Sequence, residues 1–153
     1  MFQGELLAIF IAARKRGDLQ AVGQVEAVPG RGLAGDRYCR QEGLGNPGQE
    51  VTLIETEALD GLTRDYNLTL SPNQTRRNLL TRGVPLNHLV GCEFSVGDVV
   101  LRGVRLCEPC DHLEAMTVAG VKQGLRHRGG LRAEVVRGGT LRPGAAIRPA
   151  QRQ

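Results

Sequence analysis

The distribution of apolar and polar residues along the chain predicts many short strands and few helices. Short apolar or β-branched runs bounded by turn residues indicate strands over residues 5–13, 21–28, 51–54, 77–81, 92–96, 99–101, 104–107, 131–136 and 140–147. The dipeptides Gly97-Asp98 and Arg102-Gly103 separate three of these runs, as hairpin turns do. Since no strand–helix–strand rhythm is present, the pattern favours a mainly β fold, a β-barrel of short strands with a few small helices.

Two helices and one long loop interrupt this pattern. Apolar residues at helical spacing predict an amphipathic helix over residues 55–66 that ends at Asn67. A second helix is expected to begin at Pro109 and to run toward Gln123, because proline is tolerated in a first helical turn. Residues 29–49 are rich in glycine, proline and charge, so we expect a long loop of the kind that is usually functional or mobile.

Length and composition bound the class of protein. The chain has 153 residues, of which 41% are hydrophobic and 24% charged, which indicates a single globular domain over residues 1–153. A net charge of +4 permits a polyanionic partner without requiring one. Aromatic residues make up only 3% of the chain and tryptophan is missing. This argues against a nucleic-acid partner, because single-stranded bases stack on aromatic side chains.

The charges around the first apolar run bear on location. Glu5 precedes that run and the basic cluster of residues 14–16 follows it, which reverses the charge order of a secretory signal. No stretch reaches the roughly 18 apolar residues of a membrane helix, so no membrane contact is expected. We therefore expect a cytoplasmic protein whose four cysteines are thiols and not a disulfide framework.

The segment Arg105-Leu106-Cys107-Glu108-Pro109-Cys110 is the most informative for chemistry. A reactive or metal-binding thiol needs a positive field that favours its thiolate, and 18 of the 20 basic residues here are arginines. Zinc would need further ligands that the isolated Cys39 and Cys92 do not supply, and a thioredoxin-like motif would need a βαβ context. Two interpretations remain: one working thiol, Cys110 at a helix N-terminus, or two semi-buried structural cysteines. The spacing alone favours the structural one.

Two further segments are candidates for contacting a ligand. Residues 30–35 have the glycine spacing of a dinucleotide-binding loop, but the glycines and prolines that follow exclude the helix such a site needs. The segment is either a flexible loop or one that brings backbone N–H groups, Asp36 and Arg37 to a ligand. In the predicted strand, Arg76 and Asn78 share one face and Arg77 takes the other, so Arg76→Ala should weaken anion binding more than Arg77→Ala.

Six short motifs in order resemble the MOSC domain, which is found at the C-terminus of molybdenum-cofactor sulfurases and in small stand-alone bacterial proteins. They are G-L-x-G-D-R at residues 32–37, R-R-N-L at 76–79, G-x-x-L-x-x-L-x-G at 83–91, F-x-V-G-D at 94–98, E-P-C at 108–110 and R-G-G-x-x-A at 128–133. The resemblance covers about residues 5–148, and the order and spacing of the motifs carry it.

The resemblance implies a β-barrel with a cleft and a cysteine that carries sulfur or ligates molybdenum held by a pterin. That cysteine corresponds to Cys110, as both the metal ligand and the catalytic residue. Relatives vary at the position of Cys107, so Cys107→Ser is expected to matter much less than Cys110→Ser. The residues that the resemblance assigns to cofactor binding are Arg76, Asn78, Asp36, Arg37, Arg128 and Gly129.

The function implied by the resemblance is binding of the molybdenum cofactor (molybdopterin), with Cys110 as metal ligand or sulfur acceptor. An enzyme of this kind would reduce N-hydroxylated small molecules with electrons from a separate reductase. A cysteine desulfurase is the other partner expected, and any pyridoxal phosphate would belong to that partner and not to this chain. The alternatives are a non-enzymatic sulfur or cofactor carrier, and a basic β-barrel that binds nucleic acid with structural cysteines.

Overall fold

The computed structural model describes residues 1–39, 43 and 48–150. Its strands are β1 (Gly4–Ile11), β2 (Gln20–Val22), β3 (Val25–Val28), β4 (Gly32–Leu33), β5 (Val51–Glu55), β6 (Leu79–Arg82), β7 (Glu93–Val96), β8 (Val99–Leu106), β9 (Leu131–Arg137), β10 (Gly139–Leu141) and β11 (Ala146–Pro149). Its helices are α1 (Thr56–Tyr66), α2 (Asp111–Met116) and α3 (Val121–Gly124), with 3₁₀ helices at Pro72–Thr75 and Leu86–Leu89. Residues 40–42 and 44–47 of the predicted loop lie outside the described residues.

Among the described residues, seven strands close into a barrel in the order β11-β7-β8-β9-β5-β6-β1. Pairing of Gly4 with Ile147 and of Glu5 with Ala146 completes the closure. Neighbouring strands are antiparallel except β5 and β6, which run parallel and are joined through α1, because a hairpin cannot join parallel strands. A smaller sheet with the order β10-β3-β4 lies beside the barrel. Strand β2 pairs with β1 and so extends the large sheet that forms the barrel. The predicted fold class is therefore confirmed.

Alternate residues of the barrel strands face opposite sides and build two apolar layers. Leu53 of β5 packs inside the barrel, whereas the next residue, Ile54, packs outside it with Leu62 of α1. The helices thus cover the outer face of β1, β5 and β6. The outward residues of β9 include instead the charged Arg132 and Glu134. This uncovered polar face is where the candidate site lies.

Most predicted strands are confirmed, and the differences have local causes. Residues 21–28 form two strands, β2 and β3, instead of one. Strands were predicted over residues 99–101 and 104–107 with a break at Arg102-Gly103, but Val99–Leu106 form the single strand β8. Gly103 does not form a turn there. It lets β8 approach the backbone of Leu89 closely, since a Cβ atom at Gly103 would lie 2.1 Å from the Leu89 carbonyl oxygen. The interruption predicted at Pro143-Gly144 separates β10 from β11.

The helical predictions are confirmed for α1 and corrected for the second helix. Asn67 ends α1 in the left-handed conformation at a φ of 55°. The second helix is divided, since α2 begins after Cys110 and not at Pro109, and Gly120 at a φ of 98° separates it from α3. In the part of the chain that the structure describes, no helix is both long and apolar enough to cross a membrane.

Candidate functional site

The two cysteines at the end of β8 differ in exposure. Cys107 is buried, and its N–H donates to the Gly130 carbonyl at 2.7 Å. Cys110 is exposed at the residue before α2, and its carbonyl accepts the Glu114 N–H at 3.2 Å. Cys110 therefore lies at the predicted strand-to-helix turn and is the thiol of this pair that a ligand or partner can reach.

Gly129 lies directly against this cysteine turn. A Cβ atom at Gly129 would lie 2.5 Å from the Cys107 carbonyl oxygen and 2.8 Å from Cδ of Pro109. Its own carbonyl accepts a hydrogen bond from Arg77 Nε at 2.8 Å. The structure therefore places Gly129 beside the candidate thiols, where only a residue without a side chain allows the two backbones to approach so closely.

Arg77 is buried beneath the cysteine turn, a position that sequence reasoning missed. Besides Gly129, its guanidinium donates to the carbonyls of Cys107 at 3.0 Å and Thr75 at 3.3 Å. Burial lowers the pKa of Arg77. The nearby thiols of Cys107 and Cys110 raise this pKa, whereas the neighbouring Arg132 and Arg37 lower it further. No carboxylate pairs with Arg77 among the described residues. An arginine keeps its charge in proteins, so Arg77 places a buried positive charge beneath the cysteine turn.

The expectation that Arg76 lies in the cleft while Arg77 points away is corrected, because its premise is wrong. Strand β6 begins only at Leu79, and Arg76 is the left-handed residue (φ 61°) that ends the preceding 3₁₀ helix. Strand alternation therefore does not apply to these residues. The Arg76 guanidinium donates to the Gly17 carbonyl at 3.0 Å. Burial and the nearby charge of Arg37 lower the pKa of Arg76.

Asn78, the second residue implied to contact the cofactor, is buried and bonded to the barrel. Its Oδ1 accepts the Thr52 N–H at 3.0 Å and the Thr52 hydroxyl at 3.1 Å. Its Nδ2 donates to the Phe10 carbonyl at 3.0 Å. These bonds link β1 and β5 through the Asn78 side chain, so Asn78 stabilises the barrel beside the cleft.

Asp36 and Arg37 form a buried ion pair. Asp36 Oδ1 accepts Arg37 Nη1 at 3.1 Å and the Ala12 N–H at 3.0 Å, and the Arg37 guanidinium lies 4.6 Å from the Tyr38 ring centre. Only 7% of the Arg37 side chain is exposed, yet its Nε has no hydrogen-bond partner among the described residues. Asp36 thus pairs with Arg37, the next residue along the loop. Arg37 is close enough to Arg77 to affect its pKa, so the loop borders the same cleft.

Arg128 is directed away from the cysteines. Its Nε donates to the Gly124 carbonyl at 2.8 Å, and its Nη1 pairs with Asp65 at 3.1 Å. Hydrogen bonds from Arg64 and Arg128 lower the pKa of Asp65 to about 2. The side chain of Arg128 joins α1 to α3, whereas its neighbour Gly129 lies against the cysteine turn, so this candidate pair is not brought together around one site.

A row of polar side chains crosses the outer face of the barrel beside Arg77. Arg105 on β8 lies opposite Arg132 on β9, and Arg132 lies opposite Thr52 on β5. Arg132 Nη1 donates to the Gly48 carbonyl at 3.0 Å. Strand alternation in β9 was the available signal, since it turns Leu131 and Ala133 inward and Arg132 outward.

The remaining thiols are placed less favourably. Burial and the Asp36 carboxylate raise the pKa of Cys39, which opposes formation of its thiolate. Cys92 is exposed and borders an open groove of about 1110 Å³ on the outer face of β7, β8, β9 and β11, away from Cys110. Within residues 1–39, 43 and 48–150, no group of three or more histidine, cysteine or acidic residues could hold a metal ion alone.

Comparison with families and solved structures agrees with this architecture. Among models of protein families, the MOSC domain matches residues 40–148, which is well over half of the chain. The chain therefore belongs to the MOSC domain family. No curated protein matches it by sequence.

Solved structures with this fold include YuaD from Bacillus subtilis and YiiM from Geobacillus stearothermophilus. YuaD has a TM-score of 0.76 at 15% identity, with 99% of this chain and 100% of YuaD covered. The Geobacillus YiiM has a TM-score of 0.76 at 13% identity, with 97% of this chain and 76% of YiiM covered. YiiM from Escherichia coli has a TM-score of 0.68 at 18% identity, covering 97% and 71% respectively. At these identities the likeness concerns the fold.

Proposed function

We propose that this protein binds a molybdenum–pterin cofactor in the cleft beside the cysteine turn, with Cys110 as its thiolate ligand. The observation that carries the proposal is an exposed thiol, Cys110, beside a buried guanidinium, Arg77, that has no carboxylate partner among the described residues. Soft metals select thiolate ligands, and a buried cation without a counter-charge favours an anionic ligand.

The residues of the cleft suit such a ligand. Cys110 would hold the metal, and Arg37, whose buried Nε lacks an acceptor, would bind an anionic group of the pterin. Arg77 would fix the backbone of the turn through its hydrogen bond to the Cys107 carbonyl. Asn78 would stabilise the barrel strands beside the cleft, because both polar atoms of its side chain are already hydrogen-bonded to them. When bound, the cofactor would supply two-electron redox chemistry at molybdenum.

For an enzyme of this kind we propose a small N-hydroxylated substrate and a separate reductase as electron donor. The second candidate function is sulfur carriage from a cysteine desulfurase that carries its own pyridoxal phosphate. In that transfer the Cys110 thiolate attacks the outer sulfur of a persulfide on the desulfurase, the sulfur–sulfur bond of that persulfide breaks, and the desulfurase cysteine leaves as its thiolate. The exposure of Cys110 favours this candidate as well, because a partner protein can reach the thiol. Either role needs a free thiolate, so we place the protein in the reducing cytoplasm.

Full-length protein from a host that makes molybdenum cofactor tests the proposal. We expect stoichiometric molybdenum by elemental analysis together with pterin fluorescence in the wild type. Cys110→Ser should lose both signals, because a hydroxyl does not replace a thiolate for a soft metal. The matched variant Cys107→Ser should retain them.

Three other outcomes have distinct meanings. A persulfide on Cys110 without molybdenum would select the sulfur carrier. Equal loss in both cysteine variants would indicate a paired dithiol or zinc site. Wild-type protein with neither molybdenum nor persulfide would contradict both candidate functions, and nucleic-acid binding would then be tested next.

A further inference from the structure

Strands β8 and β9 form an antiparallel ladder, and we call each pair of facing residues a rung. Of two successive rungs whose side chains lie on the outer face, one joins opposite charges and the other joins like charges. At one rung Arg102 faces Glu134, and the two side chains form an ion pair at 2.9 Å. At the next outward rung Arg105 faces Arg132. Opposite charges placed directly across a sheet stabilise it, whereas like charges destabilise it. The Arg105–Arg132 rung therefore lacks the favourable pairing of the Arg102–Glu134 rung, and an anion between the two guanidiniums would supply it.

The described residues supply no such anion. Neither Arg105 nor Arg132 forms an ion pair with a carboxylate of the described chain, whereas Arg102 pairs with both Glu93 and Glu134. Arg132 donates instead to the neutral Gly48 carbonyl. The Arg105 guanidinium lies beside the same residue, since a Cβ atom at Gly48 would lie 2.9 Å from its Nη1.

The neighbourhood adds more positive charge. Arg132 lies close enough to Arg77 to lower its pKa, and Arg37 does the same. Asp36, the carboxylate at this edge of the cleft, is already paired with Arg37. The cross-strand arginine pair thus lies beside two further guanidiniums, those of Arg77 and Arg37, of which Arg37 is paired with Asp36.

We propose that Arg105 and Arg132 form an oxyanion subsite that binds a phosphate group. Two guanidinium forks on adjacent strands match the several oxygens of a tetrahedral dianion, which a single arginine does not saturate. The ladder continues from this rung through Leu106 and Leu131 to the hydrogen bond between the Cys107 N–H and the Gly130 carbonyl. A ligand whose phosphate is bound at the rung can therefore extend toward the cysteine turn. The inference rests on the proposed function only for the origin of that phosphate.

Binding of inorganic phosphate to the full chain tests the subsite, measured by calorimetric titration and by thermal unfolding against chloride at equal ionic strength. We expect wild-type Tm to rise with millimolar phosphate. Arg105→Gln should have a higher Tm than wild type in chloride, because the repulsion is removed, and should bind phosphate at least about tenfold more weakly. The matched control Arg102→Gln, on the same strand, should not gain stability in chloride and should retain the phosphate response.

Equal phosphate responses in Arg105→Gln and Arg102→Gln would reduce the effect to general screening and overturn the proposal. So would a wild-type protein that does not bind phosphate. Cys110→Ser should bind phosphate as the wild type does, so that failure of the metal proposal is distinguishable from failure of the subsite. Tighter binding of glycerol 3-phosphate than of inorganic phosphate would assign the subsite to the terminal group of an organic ligand, and the reverse order would assign it to free phosphate.

Discussion

Replacing Asn78 by alanine tests whether this residue holds the barrel together or binds the cofactor. Its side chain makes three hydrogen bonds, two from Thr52 to Oδ1 and one from Nδ2 to the Phe10 carbonyl. Two lost bonds contribute about 1 kcal/mol each, and the Thr52 N–H left without an acceptor adds about 1–3 kcal/mol. We therefore expect Asn78→Ala to lower the free energy of unfolding by about 3–5 kcal/mol.

Urea unfolding followed by far-ultraviolet circular dichroism measures this change, since the chain has no tryptophan. With a urea dependence of about 2 kcal/mol per molar, the midpoint should fall by about 1.5–2.5 M. Asn87→Ala is the matched control, because the Asn87 amide also donates to a carbonyl, that of His127 at 2.6 Å, but at an exposed position. That control should change stability by no more than about 0.5 kcal/mol.

The opposite result would refute this reasoning. If Asn78→Ala unfolds at the wild-type urea concentration and nevertheless loses its cofactor, then the hydrogen bonds to Thr52 and Phe10 contribute little. The residue would in that case bind the ligand directly, as the family resemblance implies.

Two further predictions concern the cysteine turn and the end of β5. Gly129→Ala should destabilise the protein by about 1–3 kcal/mol in urea unfolding, because its Cβ would overlap the Cys107 carbonyl. Gly23→Ala, which has open space around it, should be near neutral, and equal effects would show that the contact is unimportant. Burial and Glu57 raise the pKa of Glu55 from 4.5 to about 7, so the folded state binds more protons and stability should fall as pH rises between these values. Burial also raises the pKa of Glu50, so Glu55→Gln should reduce that slope in urea midpoints at pH 5 and 8 without abolishing it. The exposed Asp60→Asn should leave the slope unchanged, and an unchanged slope in Glu55→Gln would assign it to another group.

Local signals were sufficient for several features of this protein. Helix α1 follows from apolar spacing and ends at Asn67, as predicted, because a short polar residue tolerates the left-handed conformation there. Turn residues between short apolar runs predicted the mainly β class, and Pro109 predicted a helix in this segment, although α2 begins two residues later, at Asp111. Each of these features depends on residues within a few positions of one another, where backbone preference and capping dominate.

The site itself depends on contacts that local patterns do not contain. Alternation predicted that Arg77 points away from the cleft, but the left-handed turn at Arg76 delays the strand and brings Arg77 beneath the carbonyl of a residue 30 positions away. Asn78 matched a cofactor motif, yet its amide is bonded to Thr52, 26 positions away.

The pairing of strands from distant parts of the chain decided the rest. Nothing in the sequence pairs Arg105 with Arg132, and only the register of β8 against β9, shifted by an irregularity after Gly103, sets their charges opposite each other. The sequence alone therefore determined the class of fold, the first helix and the turn that carries Cys110. Tertiary structure decided which arginines surround that thiol, because barrel closure and strand register are set by the sum of many long-range contacts and not by the preference of any one segment.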